Sequence, residues 1–282
     1  ANRIARWNGS GWFALGSGIS GVSNPVVYAL TTLPNGDLIA GGEFFSAGGV
    51  TAIRIARWNG SAWSALGSGV DGGFALFPSV YALTTLPNGD LVAGGSFSNA
   101  GGVRVNYVAR WNGSAWSALG TGMNSTVYAL TTLPNGDLIA GGNFTTAGGV
   151  TASFIDRWNG SAWSALGTGM RGISTPMVYA LTRLPNGDLI AGGNFTTAGG
   201  VVAPYIARWG CVTPTCDPID FNQNSLFPED QDLIDFLSVL AGGPCSPGNT
   251  CNDIDFNNDG LFPSDDDLVA FLRVLAGGTC NP

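Results

Sequence analysis

The 282-residue chain contains no histidine and no lysine; all 11 of its basic residues are arginine. Without histidine there is no imidazole acid–base pair, no Ser-His-Asp triad and no His-ligated zinc. Without lysine there is no Schiff-base chemistry and no Walker-type phosphate loop. Carboxylates are the remaining acid–base option. Charge is sparse, at 11% of residues, and no apolar run approaches the roughly 18 residues of a membrane-spanning helix. Cysteine is missing from residues 1–210. The sequence begins at Ala1 rather than Met, which fits a removed secretory signal or an incomplete N-terminus.

What is present is glycine (44 residues), proline (15) and a 45% apolar fraction. That composition suits a turn-rich, all-β protein rather than a disordered one. Charge is divided unevenly. Residues 1–210 carry 10 Arg against 7 acidic side chains, and residues 211–282 carry 1 Arg against 12. An acidic balance of this kind argues against nucleic acid as a partner. A tail so acidic stays solvated or collects divalent cations.

The first 210 residues are a repeat. LPNGD begins at Leu33, Leu86, Leu133 and Leu184, at intervals of 53, 47 and 51 residues. ARWNGS begins at Ala5, Ala56 and Ala109, recurs as Asp156-Arg157-Trp158-Asn159-Gly160-Ser161, and survives as Ala207-Arg208-Trp209-Gly210. Within the third copy, Val127–Leu133 reads as a strand and Pro134-Asn135-Gly136-Asp137 as a tight turn, since Asn-Gly supplies the positive φ of a short hairpin. Leu138–Ala140 returns and Gly141-Gly142 ends it. After a Gly-rich loop, Phe154–Trp158 runs out, Asn159-Gly160 turns, and Trp163–Leu166 comes back. Two hairpins per unit of about 50 residues predict a four-stranded blade. An apolar strand closed by a Gly-Gly doublet (Gly41-Gly42, Gly94-Gly95, Gly141-Gly142, Gly192-Gly193) and followed by a Trp-bearing hairpin resembles kelch-like bacterial β-propeller repeats. The resemblance implies a mainly-β fold over 1–210, a propeller of about four four-stranded blades. It implies no activity, because propellers host enzymes, lectins and scaffolds alike.

The phase of the repeat gives a half-unit at each end of this region. Arg3–Trp7 and Trp12–Leu15 form a second hairpin, and Tyr205–Trp209 is a third strand without a fourth. Either the N-terminal hairpin completes the last blade and closes a ring, or the ring stays open, or neighbouring chains complete one another's blades. Unpaired strand edges are adhesive unless covered, so self-assembly is an expectation of the sequence.

Trp7/Trp12, Trp58/Trp63, Trp111/Trp116 and Trp158/Trp163 flank Asn-Gly turns and should each share a sheet face. They read as packing between blades or as a sugar-stacking surface. Arg6, Arg57, Arg110, Arg157 and Arg208 alternate with tryptophan and should face the other way. With Asp37, Asp90, Asp137 and Asp188 they are expected to form ladders between blades; a carboxylate pair for glycoside hydrolysis is the rival. Sequons at Asn8, Asn59, Asn112, Asn124, Asn143, Asn159 and Asn194 are turns first and glycosylation sites second.

Residues 211–282 contain a second duplication. Asp220–Pro228 matches Asp255–Pro263 at an offset of 35, and each segment leads into an amphipathic helix closed by Ala-Gly-Gly. Leu233, Phe236, Leu237 and Leu240 occupy helical spacing, as do Leu268, Phe271, Leu272 and Leu275. Asp255, Asn257, Asp259, the Leu261 carbonyl and Asp266 fall at alternating loop positions of an EF-hand type, around Gly260. In the first loop Asp220, Asn222, Asn224 and Leu226 correspond, but Ser225 stands for the glycine and Gln231 for the last acid. Asp232 and Asp267, one position later, are alternative last ligands. Two such loop–helix units resemble a dockerin module, which implies Ca2+ as cofactor and a cohesin-like receptor as protein partner. Five cysteines, Cys211, Cys216, Cys245, Cys251 and Cys280, lie in this tail and suggest disulfides and an oxidising environment. Cys245–Cys251 with Cys216–Cys280 is one pairing, and Cys216–Cys245 with Cys251–Cys280 the other; Cys211 is left over in both.

The expectation is therefore a secreted or cell-surface, non-enzymatic propeller scaffold (1–210). A disulfide-containing, dockerin-like tail (211–282) would attach it to a protein partner or to another copy, as in an extracellular filament. A glycan-binding, lectin-like propeller is the alternative.

Overall fold

The computed structural model describes residues 2–21, 24–72, 78–209 and 230–240, together with Val269 and Leu272 as helical positions. The chain divides into two compact units, Ala1–Trp209 and Gly210–Pro282.

The first unit is built by repetition. It opens on a hairpin, β1 (Ala5–Trp7) and β2 (Trp12–Ala14). The first full repeat contains β3 (Ile19–Ser20), β4 (Val26–Thr32), β5 (Leu38–Glu43), β6 (Ser46–Ala47), β7 (Val50–Thr51), β8 (Ile55–Trp58) and β9 (Trp63–Ala65). The second contains β10 (Val70–Asp71), β11 (Val80–Thr85), β12 (Leu91–Gly95), β13 (Asn99–Ala100), β14 (Val103–Arg104), β15 (Val108–Trp111) and β16 (Trp116–Ala118). The third contains β17 (Val127–Thr132), β18 (Leu138–Gly142), β19 (Thr146–Ala147), β20 (Val150–Thr151), β21 (Ile155–Trp158) and β22 (Trp163–Ala165). The last contains β23 (Met170–Arg171), β24 (Met177–Arg183), β25 (Leu189–Asn194), β26 (Thr197–Ala198), β27 (Val201–Val202) and β28 (Ile206–Trp209).

Three repeats form four-stranded antiparallel meanders, β4-β5-β8-β9, β11-β12-β15-β16 and β17-β18-β21-β22, and the last is the three-stranded β24-β25-β28. The turns work as the sequence predicts. Gly36 has a φ of +87°, the Leu33 N–H donates to the Asp37 carbonyl at 2.8 Å, and Asn35 Oδ1 accepts the Asp37 N–H at 3.1 Å. At the tryptophan turn, Asn59 Oδ1 accepts from the Ser61 N–H, the Ser61 hydroxyl and the Ala62 N–H. The side chain thereby stands in for a backbone acceptor.

The Gly-rich loops are not loops throughout. They fold into small hairpins, and the linker that arrives from the preceding repeat adds a strand, giving the sheets β3-β6-β7, β10-β13-β14 and β23-β26-β27. In the third repeat a single Met123–Ala147 bridge takes that place beside β19-β20.

The glycine doublet has two separate causes. A Cβ on the second glycine, Gly42, would overlap the Val26 carbonyl oxygen of the neighbouring strand. The first, Gly41, lies beneath Val80 and Leu83 of the next repeat, where a side chain would collide. One residue closes a sheet and the other lets two sheets approach.

Hydrophobic clusters lie between sheets, not within them. One joins Ile39, Ile55 and Leu66 of the first repeat to Val80, Leu91, Phe97 and Trp116 of the second. Others join each successive pair in the same way. Strand β4 packs against β11, β11 against β17 and β17 against β24, and no comparable packing of β24 against β4 is present among the described residues.

In the second unit α1 spans Asp230–Leu240. Phe236 is buried, as its spacing predicts, but Leu237 and Ile234 are exposed. Of the proposed calcium ligands only Asp232 falls on a described element, in the first turn of α1. Asp220, Asn222, Asn224, Leu226, Asp255, Asn257, Asp259, Leu261, Asp266 and Asp267 lie outside the described residues. The disulfide expectation is corrected: no disulfide is found among the described residues. Cys216, Cys245, Cys251 and Cys280 also lie outside the described residues.

Candidate interaction site

Three kinds of contact hold the repeats together, and all three occur at the interfaces between the first and second and between the second and third repeats. The first is a tryptophan clamp. Trp58 and Trp63 sit opposite one another on β8 and β9, with ring centroids 5.4 Å apart. The Trp63 indole N–H donates to the Leu15 carbonyl of the preceding repeat at 2.8 Å. Trp116 does the same to Leu66 at 2.9 Å and Trp163 to Leu119 at 2.8 Å. The apolar body of each ring is buried while its one polar atom is satisfied, the condition under which a buried indole is favourable.

The second contact is a tyrosine ladder. Tyr28, Tyr81, Tyr128 and Tyr179 follow one another along the first strands of successive sheets, at centroid distances of 5.1, 5.6 and 5.4 Å. Burial, followed by Tyr179 and Tyr81 nearby, pushes the Tyr128 phenol up from its ordinary value. The third contact seats a Val and a Leu on the first glycine of the doublet. Val127 and Leu130 cover Gly94, and Val178 and Leu181 cover Gly141.

All three contacts stop short at the outer repeats. On one face Tyr28, Leu30 and Trp12 are exposed, Trp12 at 71% against 5% for Trp63. On the other, Tyr179 is exposed, and a Cβ on Gly192 would meet only its own neighbour Ala180 at 3.8 Å. Among the described residues the last repeat also has no fourth strand beside β28. In its place lies a cavity of about 70 Å³ lined by Leu166, Gly167, Ala198, Gly199, Ala207 and Trp209. A Cβ at Gly16, Gly67 or Gly120 would touch a tryptophan of the following repeat, whereas one at their counterpart Gly167 would meet nothing within 4 Å.

The charged groups are local. Arg57 pairs with Asp37 at 3.3 Å, Arg110 with Asp90 at 3.6 Å, Arg157 with Asp137 at 3.7 Å and Arg208 with Asp188 at 2.6 Å. These pairs lie within a sheet, not between blades as expected from the sequence. The register places Ile39 opposite Arg57, so each Arg reaches across to the turn that opens the adjacent strand.

One carboxyl departs from the pattern. Asp156 replaces the alanine of the other repeats, is fully buried, and neither of its oxygens has a hydrogen-bond partner. Burial pushes its pKa up to about 6, opposed by the nearby Arg157 N–H and guanidinium. The exception was legible in the sequence as Asp-Arg-Trp in place of Ala-Arg-Trp; the tyrosine ladder was not. Among the described residues no group of three or more His, Cys, Asp or Glu could hold a metal, and no helix is long and apolar enough to cross a membrane.

Residues 33–60, 86–113 and 184–208 match the family model of a β-propeller domain of unknown function, DUF5122. The repeat region is a β-propeller-like domain. The match is to this family rather than to kelch repeats, which corrects the kelch assignment. Neither a dockerin nor an EF-hand motif is matched in the tail. The dockerin-like, EF-hand assignment is corrected with it; in the first loop Ser225 and Gln231 stand where such a loop needs glycine and an acid, and the expected Ca2+ ligands other than Asp232 lie outside the described residues.

No curated protein matches the chain in sequence. Among solved structures it is similar to an extracellular domain assigned to a hybrid two-component system of B. thetaiotaomicron. That likeness has 10% identity and a TM-score of 0.49, covering 77% of this chain and 26% of that one. It is also similar to YCF48 bound to D1 peptide (20% identity, TM-score 0.41, 71% of this chain and 57% of that one). A third likeness is to an inactive virginiamycin B lyase from Staphylococcus aureus with quinupristin (16% identity, TM-score 0.37, 77% and 66%). The chain spans about a quarter of the length of the first of these.

Proposed function

We propose that this protein is a non-enzymatic structural scaffold that acts outside the cell and assembles end to end with copies of itself. The observation that carries the reading is the complementarity of the two outer faces. One presents Tyr28 and Leu30, the other Tyr179 and the uncovered Gly192. These are the two halves of an interface that the chain already builds three times internally. Two such faces stack without new chemistry, because the apolar area and the fit are already specified by the repeat.

Support for a non-catalytic role comes from the carboxylates. The four turn aspartates are each paired to an arginine in repeated, equivalent positions. Among the described residues the one carboxyl with a raised pKa, Asp156, is sealed in the core. Sedimentation velocity of the purified chain over a wide concentration range tests the reading. End-to-end association gives a series of species at multiples of the chain mass, and a single monomer at every concentration would remove it. The extracellular setting is tested by recovery of the protein from the medium or cell surface.

A second reading has its own observation. A groove of about 280 Å³ between consecutive turns is lined by Asn35, Asn88, Asp90 and Asn112 together with Trp111 and the apolar Leu33, Pro34 and Leu91. Amide and carboxylate groups beside an aromatic face suit a glycan. Titration of tryptophan fluorescence with oligosaccharides tests it; no change across a broad panel would set it aside.

A further inference from the structure

We infer that the open edge of β28 and the cavity beneath it receive strand β2 of a second copy, with Trp12 as the seated side chain. The inference rests on the end-to-end reading above and specifies how the junction is made.

The recipient site is incomplete in a defined way. In the three full repeats the fourth strand brings a tryptophan whose indole N–H reaches a leucine carbonyl of the preceding repeat. Each of those carbonyls, Leu15, Leu66 and Leu119, also accepts a backbone N–H from the glycine three residues on. The Leu166 carbonyl accepts the Gly169 N–H in the same way, at 3.2 Å. Among the described residues no indole reaches it. The glycines that flank the seated ring elsewhere, Gly48 and Gly101, lie against Trp63 and Trp116, whereas a Cβ at Gly199 would meet nothing within 4 Å. The small hairpin alongside is bare as well, with Val201 and Val202 exposed.

The donor is the remaining fourth-strand segment in the described residues. Trp12 on β2 is the counterpart of Trp63, Trp116 and Trp163, and it is exposed where they are buried. Its present partner is β1, with Ala5 opposite Ala14, Arg6 opposite Phe13 and Trp7 opposite Trp12. Strand β28 offers the same tripeptide, Ala207-Arg208-Trp209, on an edge that carries no fourth strand among the described residues. The register of the complete repeats, Ala56 opposite Ala65 and Trp58 opposite Trp63, then places Trp209 opposite Trp12 of the second copy. Exchange replaces the three pairs made by β1 residue for residue. It adds the burial of Trp12 and a hydrogen bond to Leu166. Strand β1 is exposed at every residue and Arg6 has no ion-pair partner among the described residues; its anchors lie just before it, in buried Ile4 and in the Asn2 carbonyl, which accepts the Ile19 N–H. Arg208 is already anchored by Asp188.

The partner is a second copy because β2 is tied to the first repeat. The Leu15 carbonyl just after it is bound by Trp63, at the far end of the row from β28, and no packing of β24 on β4 brings the ends together among the described residues. The junction is continuous with the existing interface. A second copy docked this way also lays its Tyr28 beside Tyr179 and its Val27 and Leu30 over Gly192.

Complementary variants test the junction. Trp12→Ala removes the donor and leaves the cavity. Ala198→Phe fills the cavity and leaves the donor. Each is checked for the wild-type circular dichroism spectrum, and Trp12, being exposed, can be changed without loss of fold. Sedimentation should show each variant alone associating roughly 30-fold more weakly than wild type or worse, the scale of a buried tryptophan hot spot. An equimolar mixture should give a heterodimer and no longer species, since only one competent junction exists. Wild-type association that is unchanged in Trp12→Ala would overturn strand donation and leave end-to-end stacking standing. A wild-type chain that is monomeric throughout would remove both.

Discussion

The indole Nε1 of Trp63 donates to the carbonyl of Leu15, 48 residues earlier, at 2.8 Å. This one bond ties the last strand of one sheet to the turn that leaves the previous sheet. Its recurrence at Trp116 and Trp163 makes the row of sheets a chain of equivalent joints.

Removing one joint should therefore weaken the whole row. Trp116→Phe keeps most of the buried ring but leaves the Leu66 carbonyl without its indole donor, and should cost about 1 kcal/mol. Trp116→Ala also empties the seat and should cost about 3–5 kcal/mol. Trp12→Ala, at an exposed position, should change monomer stability by no more than about 0.5 kcal/mol. Urea unfolding of the three variants checks the order.

The first glycine of each doublet supports a paired prediction. In Gly94→Ala the new methyl would lie 2.6 Å from Val127 and 3.1 Å from Leu130, and overpacking of this kind costs about 1–3 kcal/mol. In Gly192→Ala the nearest atom is at 3.8 Å, so the monomer should fold with near wild-type stability. The same methyl would obstruct a second copy, so Gly192→Ala should reduce association while leaving the melting temperature of the monomer unchanged.

Asp156 should make the domain less stable as acid is removed. Its folded-state pKa of about 6 lies above the 3.8 of a free Asp side chain, so the folded state holds the proton more tightly. Its favourable contribution is complete below pH 3.8 and is lost as pH rises through about 6. Asp156→Ala, the residue used by the other repeats, should remove that slope. At pH 7 it should also stabilise by about 1–3 kcal/mol, the cost of a buried polar group without partners. Melting temperatures of both proteins from pH 4 to pH 8 give the comparison.

The repeat made much of the fold legible. Turns at Asn35-Gly36 and Asn59-Gly60 are specified by local chemistry, and cross-strand Trp58–Trp63 pairing follows from their spacing. Relationships between repeats were harder to read. The Arg57–Asp37 pair was assigned between blades because strand alternation gives a residue's face but not how far its side chain reaches along the sheet. The tyrosine ladder went unnoticed because VYAL looks like an ordinary half-buried strand, and only the distance between sheets turns four such strands into one row. The small hairpins of the Gly-rich segments depend on a linker strand from the preceding repeat, a pairing that no local pattern announces. In the tail, the alternation of Asp255, Asn257 and Asp259 resembles an EF-hand loop, but alternating acids and amides do not by themselves define that motif. The family match falls on the propeller-like repeats.

The most direct measurement is electron microscopy of the purified chain, imaged as a dilution series beside Gly192→Ala. The account predicts rods that lengthen with concentration, in which the sheet-to-sheet spacing continues across each junction, and their loss in the variant. Separate particles of one chain at every concentration, or rods equally long in Gly192→Ala, would contradict it.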